Sequence, residues 1–290
     1  MHTRVAAAAI MALFGLGVAI LPTPHARATS DHSPVVIAHR GASAYAPENT
    51  LAAVDKAADM GFSWVENDVQ RTRDGRLVVI HDATLERTTN VRQLFPGRSP
   101  WRVKDFTAEE IAHLDAGSWF GARYAGVRVP MLRQYMERVS LNQQNLLLEI
   151  KNPELYPGLE RQILKLLGNE GWLDADHLRN RLIVQSFSAD SVRMVHDLRP
   201  GITTAYLGTP PLTELPLYAR FADQINSTQT KLSARYVSAV HAVKGPHDRP
   251  MKVFAWDVNT AEAARRVSGF GVDGIITNAP DVVQTAISAQ

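Results

Sequence analysis

Two pairs of residues spaced two apart carry the first chemical signal in the chain: Glu66 and Asp68 in WVENDV, and Glu149 and Lys151 in LLLEIK. On an extended backbone, residues i and i+2 project to the same face. Each pair therefore presents its charges together. Two histidines stand at similar places: His39-Arg40 directly follows the apolar run VVIA, and His81-Asp82 follows LVVI. Three carboxylates crowded on one buried face repel one another unless a cation lies among them, and burying an unpaired ion costs several kcal/mol. All-oxygen ligation suits a hard cation, Ca²⁺ or Mg²⁺, rather than Zn²⁺. The competing account is a salt-bridged network with Arg40 and Lys151 and no metal; the excess of carboxylates favours the metal. An imidazole pair can divide acid and base work near neutral pH, as phosphoryl chemistry requires at its attacking and leaving oxygens. Arg40 adds a planar fork matched to phosphate oxygens.

These residues need elements that bring them to one place. Candidate strands are Val35–His39, Trp64–Val69, Leu77–His81, Asn145–Ile150, Leu182–Phe187, Thr203–Leu207, Gln224–Asn226, Val253–Asp257 and Gly274–Thr277. Amphipathic stretches separate most of them, at Glu48–Met60, Met131–Val139, Leu159–Asn169, Ala189–Leu198, Ser233–Val243, Ala261–Val267 and Pro280–Ile287. Strands alternating with helices indicate parallel βαβ units. One pair breaks the alternation. Asp74-Gly75 is a preferred two-residue hairpin turn, which pairs Arg73 with Arg76 and sets Asp68 opposite His81. Leu77–His81 is then a return strand, and eight parallel strands remain for a (β/α)8 barrel, whose chemistry sits at the C-terminal strand ends. Residues 83–130 read as an insertion over one end of the barrel. They contain a short helix near Thr107–Leu114, and Thr107 with Glu110 forms its capping box.

Composition narrows the function classes. The chain has 290 residues, 45% hydrophobic and 21% charged, with a formal charge of +2. That is the profile of a globular protein, without a Lys/Arg block for nucleic acid. Arg4, the apolar stretch Val5–Leu21 and the triplet Ala26-Arg27-Ala28 follow the order of a secretory signal peptide, so residues 1–28 are expected to be cleaved. The chain lacks cysteine, which excludes a disulfide framework. The expectation is an exported protein, periplasmic or secreted, with no stable membrane insertion after cleavage.

The ordered set His39-Arg40-Gly41, Glu48-Asn49-Thr50, Glu66-Asn67-Asp68, His81-Asp82, Glu149-Ile150-Lys151 and Asp273-Gly274-Ile275-Ile276-Thr277 resembles the glycerophosphodiester phosphodiesterase family from about Val35 to Val283. The resemblance implies a barrel of the PLC-like phosphodiesterase type with an insertion after the second active-site histidine. It implies hydrolysis of glycerophosphodiesters to an alcohol and sn-glycerol 3-phosphate, with one divalent cation. Carried over by position, His39 and His81 match the general base and general acid. Glu66, Asp68 and Glu149 match the metal ligands, and Arg40 and Lys151 the phosphate contacts. Trp256 reads either as an aromatic packing against the glycerol or, equally, as a core residue near the barrel mouth. The implied chemistry has the glycerol 2-hydroxyl, held by the metal, attack phosphorus to give a cyclic phosphate that water opens.

Two positions depart from the family pattern. Asp257 stands where Thr is usual after Trp256, and Asn278 where Asp is common after Thr277; both bear on substrate detail and leave the acid, base and ligand positions intact. Glu48 after Pro47 reads either as an acid favoured at a helix start or as a partner behind Arg40. His113, His177, His196, His241 and His247 read as surface residues. Trp119, Phe120 and Tyr124 form either an apolar wall for the alcohol or a satellite core, the core being favoured. Two other functions fit the same residues: a lysophospholipase D or phospholipase D-like lipid phosphodiesterase, which would need an apolar groove, and an exported phosphodiester-binding protein without catalysis.

Overall fold

Short runs of aliphatic and β-branched residues form nine strands: β1 (Val35–Ala38), β2 (Trp64–Arg71), β3 (Leu77–Val79), β4 (Asn145–Ile150), β5 (Leu182–Ser186), β6 (Thr203–Leu207), β7 (Gln224–Thr228), β8 (Lys252–Trp256) and β9 (Gly274–Thr277). The computed structural model describes residues 33–289, and the expected leader at 1–28 lies outside them. All strands but β3 pair in parallel. β1 pairs with both β9 and β2, which closes β1, β2 and β4 to β9 into an eight-stranded barrel. Helices follow the strands. Leu51–Asp59 is started by Thr50, whose hydroxyl accepts the Ala53 N–H at 3.3 Å, an ordinary N-cap. The connection from β6 to β7 holds only the short helix Leu215–Tyr218 after a 3₁₀ turn. Among the described residues no helix is long and apolar enough to cross a membrane.

The period-two rule organises the interior. Ile37, Leu147, Ile183, Ala205, Phe254 and Ile276, one from each of six strands, form an apolar layer inside the barrel, with Val35, Trp64 and Trp256 against it. Two residues further along, five of the six give His39, Glu149, Gln185, Trp256 and Asn278, and only β6 stays aliphatic, with Leu207. The interior thus changes from apolar to polar within one pleat, toward the C-terminal rim. The intervening residues, such as Leu146, Leu148, Leu182 and Val184, pack outward against the helices.

The return strand is present, but its register differs from expectation by one residue. Val69 pairs with Val79 and Arg71 with Leu77, and the Ile80 N–H reaches the Asp68 carbonyl at 2.9 Å. Ile80, not His81, therefore stands opposite Asp68. A two-residue type I′ turn needs positive φ at both central residues, and here only Gly75 has it, at 79°. The loop is instead three residues, Arg73 to Gly75, closed by Thr72 N–H to the Arg76 carbonyl at 2.9 Å. Thr72 and the insertion hold it there: Asp74 Oδ1 accepts from the Thr72 hydroxyl at 2.6 Å and from the Ala108 N–H at 2.9 Å.

Residues 83–130 fold against β3. Val78 and Ile80 are buried with Leu85, Val91, Val103, Phe106, Ile111, Leu114, Ala116 and Val129. The helix Ala108–Ala112 carries the expected capping box. Trp119, Phe120 and Tyr124 stack edge to face at 5.6 and 5.5 Å. Trp119 is 42% exposed while Phe120 and Tyr124 are half-buried, so the three form a small cluster of their own beside that buried one.

Candidate active site

The end of β1 is where the chain turns most sharply. His39 continues the ladder through its N–H to the Thr277 carbonyl at 2.8 Å. Arg40 and Gly41 then take φ of 57° and 79°. A Cβ on Gly41 would lie 2.5 Å from the Ala53 backbone, so only glycine fits there. Left-handed backbone at a non-glycine residue is uncommon, and here it aims the Arg40 amide. That N–H donates to Glu66 Oε2 at 2.9 Å. The guanidinium Nε lies 3.3 Å from Asp68 Oδ2, and Nη1 donates to Glu48 Oε1 at 2.9 Å. Glu48 precedes the helix, which begins at Leu51; its role is the partner behind Arg40, not a helix-dipole acid.

Glu66, Asp68 and Glu149 meet at this rim. All three are buried, and each offers an oxygen within 4.8 Å of the others. Asn49 fastens Asp68 from two sides: its Nδ2 donates to Asp68 Oδ2 at 2.7 Å and its Oδ1 accepts the Asp68 N–H at 3.2 Å. Lys151 Nζ donates to Glu149 Oε1 at 2.7 Å and stands 3.4 Å from Asp68 Oδ1. Glu66 Oε1 and Asp68 Oδ1 are buried without a hydrogen-bond partner. Orphaned acceptors are rare in folded proteins.

The proton affinities reflect this crowding. Burial, then Asp68 and Glu149, push the Glu66 carboxyl well above its ordinary range. Burial and Asp68 raise Glu149 to about 7, despite Lys151. Asp68 goes the other way: burial raises it, but Arg40 and Lys151 outweigh burial and pull it down to about 2. Two cations cannot hold three carboxylates ionised. Acidic oxygens with unused lone pairs and no nitrogen or sulfur donors fit a hard divalent cation, which would be held by Glu66, Asp68 and Glu149.

The histidines differ in surroundings. His39 Nδ1 lies 2.7 Å from Asn278 Oδ1 and 3.5 Å from Asp257 Oδ1. The amide oxygen fixes the proton on Nδ1 and leaves Nε2 with its lone pair, 3.8 Å from Glu66 Oε2. Burial, and then Arg40, lower the His39 pKa, which keeps the ring neutral. Both positions that depart from the family pattern thus meet at one nitrogen. His81 Nδ1 lies 2.7 Å from Asp82 Oδ1, so Nε2 is the nitrogen left for a substrate. The His81 segment is positioned by Gln70, fully buried on β2. Its Nε2 donates to the carbonyls of Ile80, His81 and Asp82 at 3.0, 3.0 and 2.7 Å, while its Oε1 accepts from the Tyr156 hydroxyl at 2.9 Å. Gln70 continues the inward series Glu66, Asp68, and that period was the signal for it.

Trp256 is held by its Nε1–H to the Asn226 carbonyl at 2.9 Å. Its ring meets Phe187 edge to face at 5.6 Å. Phe187, absent from the sequence-based site, is 50% exposed and lines a cavity of about 380 Å³ with Glu149, Lys151, Ser186 and Ser188. Every expected site residue therefore lies at this rim. The remaining histidines are not uniformly free surface residues: His241 and His247 pair with Asp273 and Asp223, and His177 contacts Trp172.

The glycerophosphoryl diester phosphodiesterase family model matches residues 39–282. A glycerophosphodiester phosphodiesterase of Caldanaerobacter subterraneus is 37% identical over 251 residues, covering 86% of this chain and 96% of its own. One of Bacillus subtilis is 32% identical over 298 residues, covering 94% and 96%. An Oleispira antarctica phosphodiesterase solved in complex with the product sn-glycerol-3-phosphate superposes with a TM-score of 0.75 at 29% identity, covering 88% of this chain and 97% of that one. With a closed barrel and an acidic rim already in place, these matches over nearly the whole described chain identify it as a member of the glycerophosphoryl diester phosphodiesterase family.

Proposed function

We propose that the protein hydrolyses glycerophosphodiesters to an alcohol and sn-glycerol 3-phosphate, using His39 and His81 for proton transfer and a divalent cation, Ca²⁺ or Mg²⁺, at Glu66, Asp68 and Glu149. The observation that carries this is the pairing of two differently placed imidazoles with one under-neutralised carboxylate cluster. Family membership and the product-bound relative support it.

Arg40 and Lys151 are the cations at the rim, and they bind and orient the phosphate oxygens. His39, neutral with Nε2 unprotonated, takes the proton from the glycerol 2-hydroxyl as its oxygen attacks phosphorus. The bond from phosphorus to the departing alcohol breaks, and His81, its ring oriented by Asp82 at Nδ1, supplies the proton that the alkoxide needs. Water opens the resulting cyclic phosphate with the two roles exchanged. A hard cation in the acidic cluster would draw off phosphate charge and acidify a neighbouring hydroxyl. Trp256 and Phe187 give the glycerol and alcohol carbons an apolar edge.

The test is sn-glycerol 3-phosphate release from a panel that includes glycerophosphocholine, glycerophosphoethanolamine and lysophospholipids. Turnover abolished by chelation and restored by Mg²⁺ or Ca²⁺ is expected. Tight binding without product would sink the reading, and turnover of lysolipids alone would move it to a lipid phosphodiesterase. Export with cleavage after Ala28 belongs to the same proposal; a cell-retained chain still carrying residues 1–28 would contradict it.

A further inference from the structure

The loop that follows His81 carries one side chain that joins both halves of the site. Arg87 donates from Nε to Asp82 Oδ2 at 2.7 Å and from Nη2 to Asp82 Oδ1 at 3.0 Å. It also donates from Nη1 to Glu48 Oε2 at 2.8 Å and from Nη2 to Glu48 Oε1 at 2.7 Å. Both carboxylates are held bidentately by one guanidinium. Each has a second duty: Glu48 Oε1 accepts from Arg40 Nη1 at 2.9 Å, and Asp82 Oδ1 meets His81 Nδ1 at 2.7 Å. A continuous chain therefore runs from Arg40 through Glu48, Arg87 and Asp82 to His81, with every link at hydrogen-bond distance.

We infer that Arg87 is a positioning residue that fixes the phosphate-holding Arg40 and the proton-donating His81 relative to each other. This rests on the phosphodiesterase reading above. Glu48 comes from the segment after β1, and Asp82 from the segment after β3. Without a cation between them the two carboxylates repel, and each would rotate away with the group it orients. A planar fork spans two carboxylates, whereas an ammonium offers a single compact charge. The competing account is an exposed ion-pair cluster, since the Arg87 side chain is 44% exposed, and exposed pairs contribute little to stability. The two accounts part on catalysis: a surface cluster predicts no effect on turnover, while a brace predicts loss of kcat in a folded protein.

The experiment compares R87A and R87K with wild type, using steady-state kinetics and thermal unfolding. R87A is expected to lower kcat roughly 10- to 100-fold, the scale of loss when reacting groups shift by about an ångström, with a smaller rise in KM and little change in Tm. Low concentrations of guanidinium ion should restore part of the R87A rate and none of the wild-type rate. R87K should stay impaired. Wild-type kcat in R87A, or in R87K should R87A fail to fold, would overturn the inference. The Nδ1 proton of His81, followed by NMR in chelated protein, gives a readout independent of turnover. Its resonance should shift or broaden in R87A, and an unchanged resonance would overturn the inference. Should wild type hydrolyse no glycerophosphodiester, the phosphodiesterase reading fails, and this resonance still decides whether Arg87 positions His81.

Discussion

The two rims of the barrel hold similar residues in opposite conditions. At the N-terminal rim, Asp223 and Asp273 stand immediately before β7 and β9. Asp223 meets His247 Nδ1 at 2.7 Å and accepts the Thr204 N–H at 3.0 Å. Asp273 meets His241 Nε2 and accepts the Val253 N–H, both at 2.8 Å. The same device occurs twice, an aspartate tying its own strand to the preceding one with a histidine on its flank. At the C-terminal rim, acids and histidines also gather, yet Glu66 Oε1 and Asp68 Oδ1 accept no hydrogen bond, and Asp68 Oδ1 has only the Lys151 ammonium at 3.4 Å. The N-terminal rim also has an unbonded buried oxygen, Gln224 Oε1, but it is a neutral amide; the C-terminal rim differs in that its unbonded oxygens belong to crowded carboxylates, which are far more costly to leave buried. On the proposed function the upper rim binds, while the aspartates of the lower rim tie strands together.

That contrast breaks most visibly at Glu66. On the proposed metal dependence, E66Q should lower activity by about 10³-fold or more, because the cation it would help hold would supply several kcal/mol to the reaction. The metal-free protein should keep its Tm, since the carboxyl there is already driven toward its neutral form. Titration calorimetry and unfolding curves check both halves. H39A and H81A come next, each losing roughly 10²- to 10⁴-fold in kcat, the range for removal of a general acid or base, with unfolding midpoints near wild type. A near wild-type rate in either would remove that histidine from the mechanism. The lower rim should respond in reverse. D273N leaves a strand-start N–H and His241 poorly paired and should cost about 1–3 kcal/mol of stability, with kcat unchanged in the folded fraction.

The smallest effect is on pH. Glu149 has a folded pKa of about 7, above its ordinary 4.5, so its protonated form is favoured in the cation-free protein. Its contribution to stability is full below pH 4.5 and is lost as pH rises through 7. Cation binding needs Glu149 and Glu66 both ionised, and Glu66 is held even further toward its neutral form, so affinity should rise by about tenfold or more per pH unit below 7 and keep rising above it. Binding should also release protons, measurable in buffers of different ionisation enthalpy. Affinity that is flat from pH 5 to 8 would contradict this.

Much of the site was legible because strand period and strand ends are local properties. Asn145–Ile150, Thr203–Leu207 and Gly274–Thr277 match their expected ranges, and the apolar runs ending in His39, Glu149 and Trp256 point to one rim without knowledge of the pairing partners. The hairpin register was misread because the Thr72 and Asp74 side chains, with the Ala108 amide, override the usual Asp-Gly turn. Arg87 and the lower-rim histidines left no local signal: what they do depends on carboxylates 39 residues away, as for Arg87 and Glu48, or at the start of another strand. Helix ranges shifted for a similar reason. Glu48 leaves the helix for Arg40, and Thr50 takes over as the cap.

The central claim is that the three carboxylates of the C-terminal rim hold the cation on which turnover depends. Anomalous diffraction from crystals soaked in Mn²⁺, with sn-glycerol 3-phosphate release measured on the same preparation, tests it most directly. One peak bounded by Glu66, Asp68 and Glu149, absent from E66Q together with activity, is the predicted result. Full turnover in chelated protein, with no peak at that cluster, would contradict it.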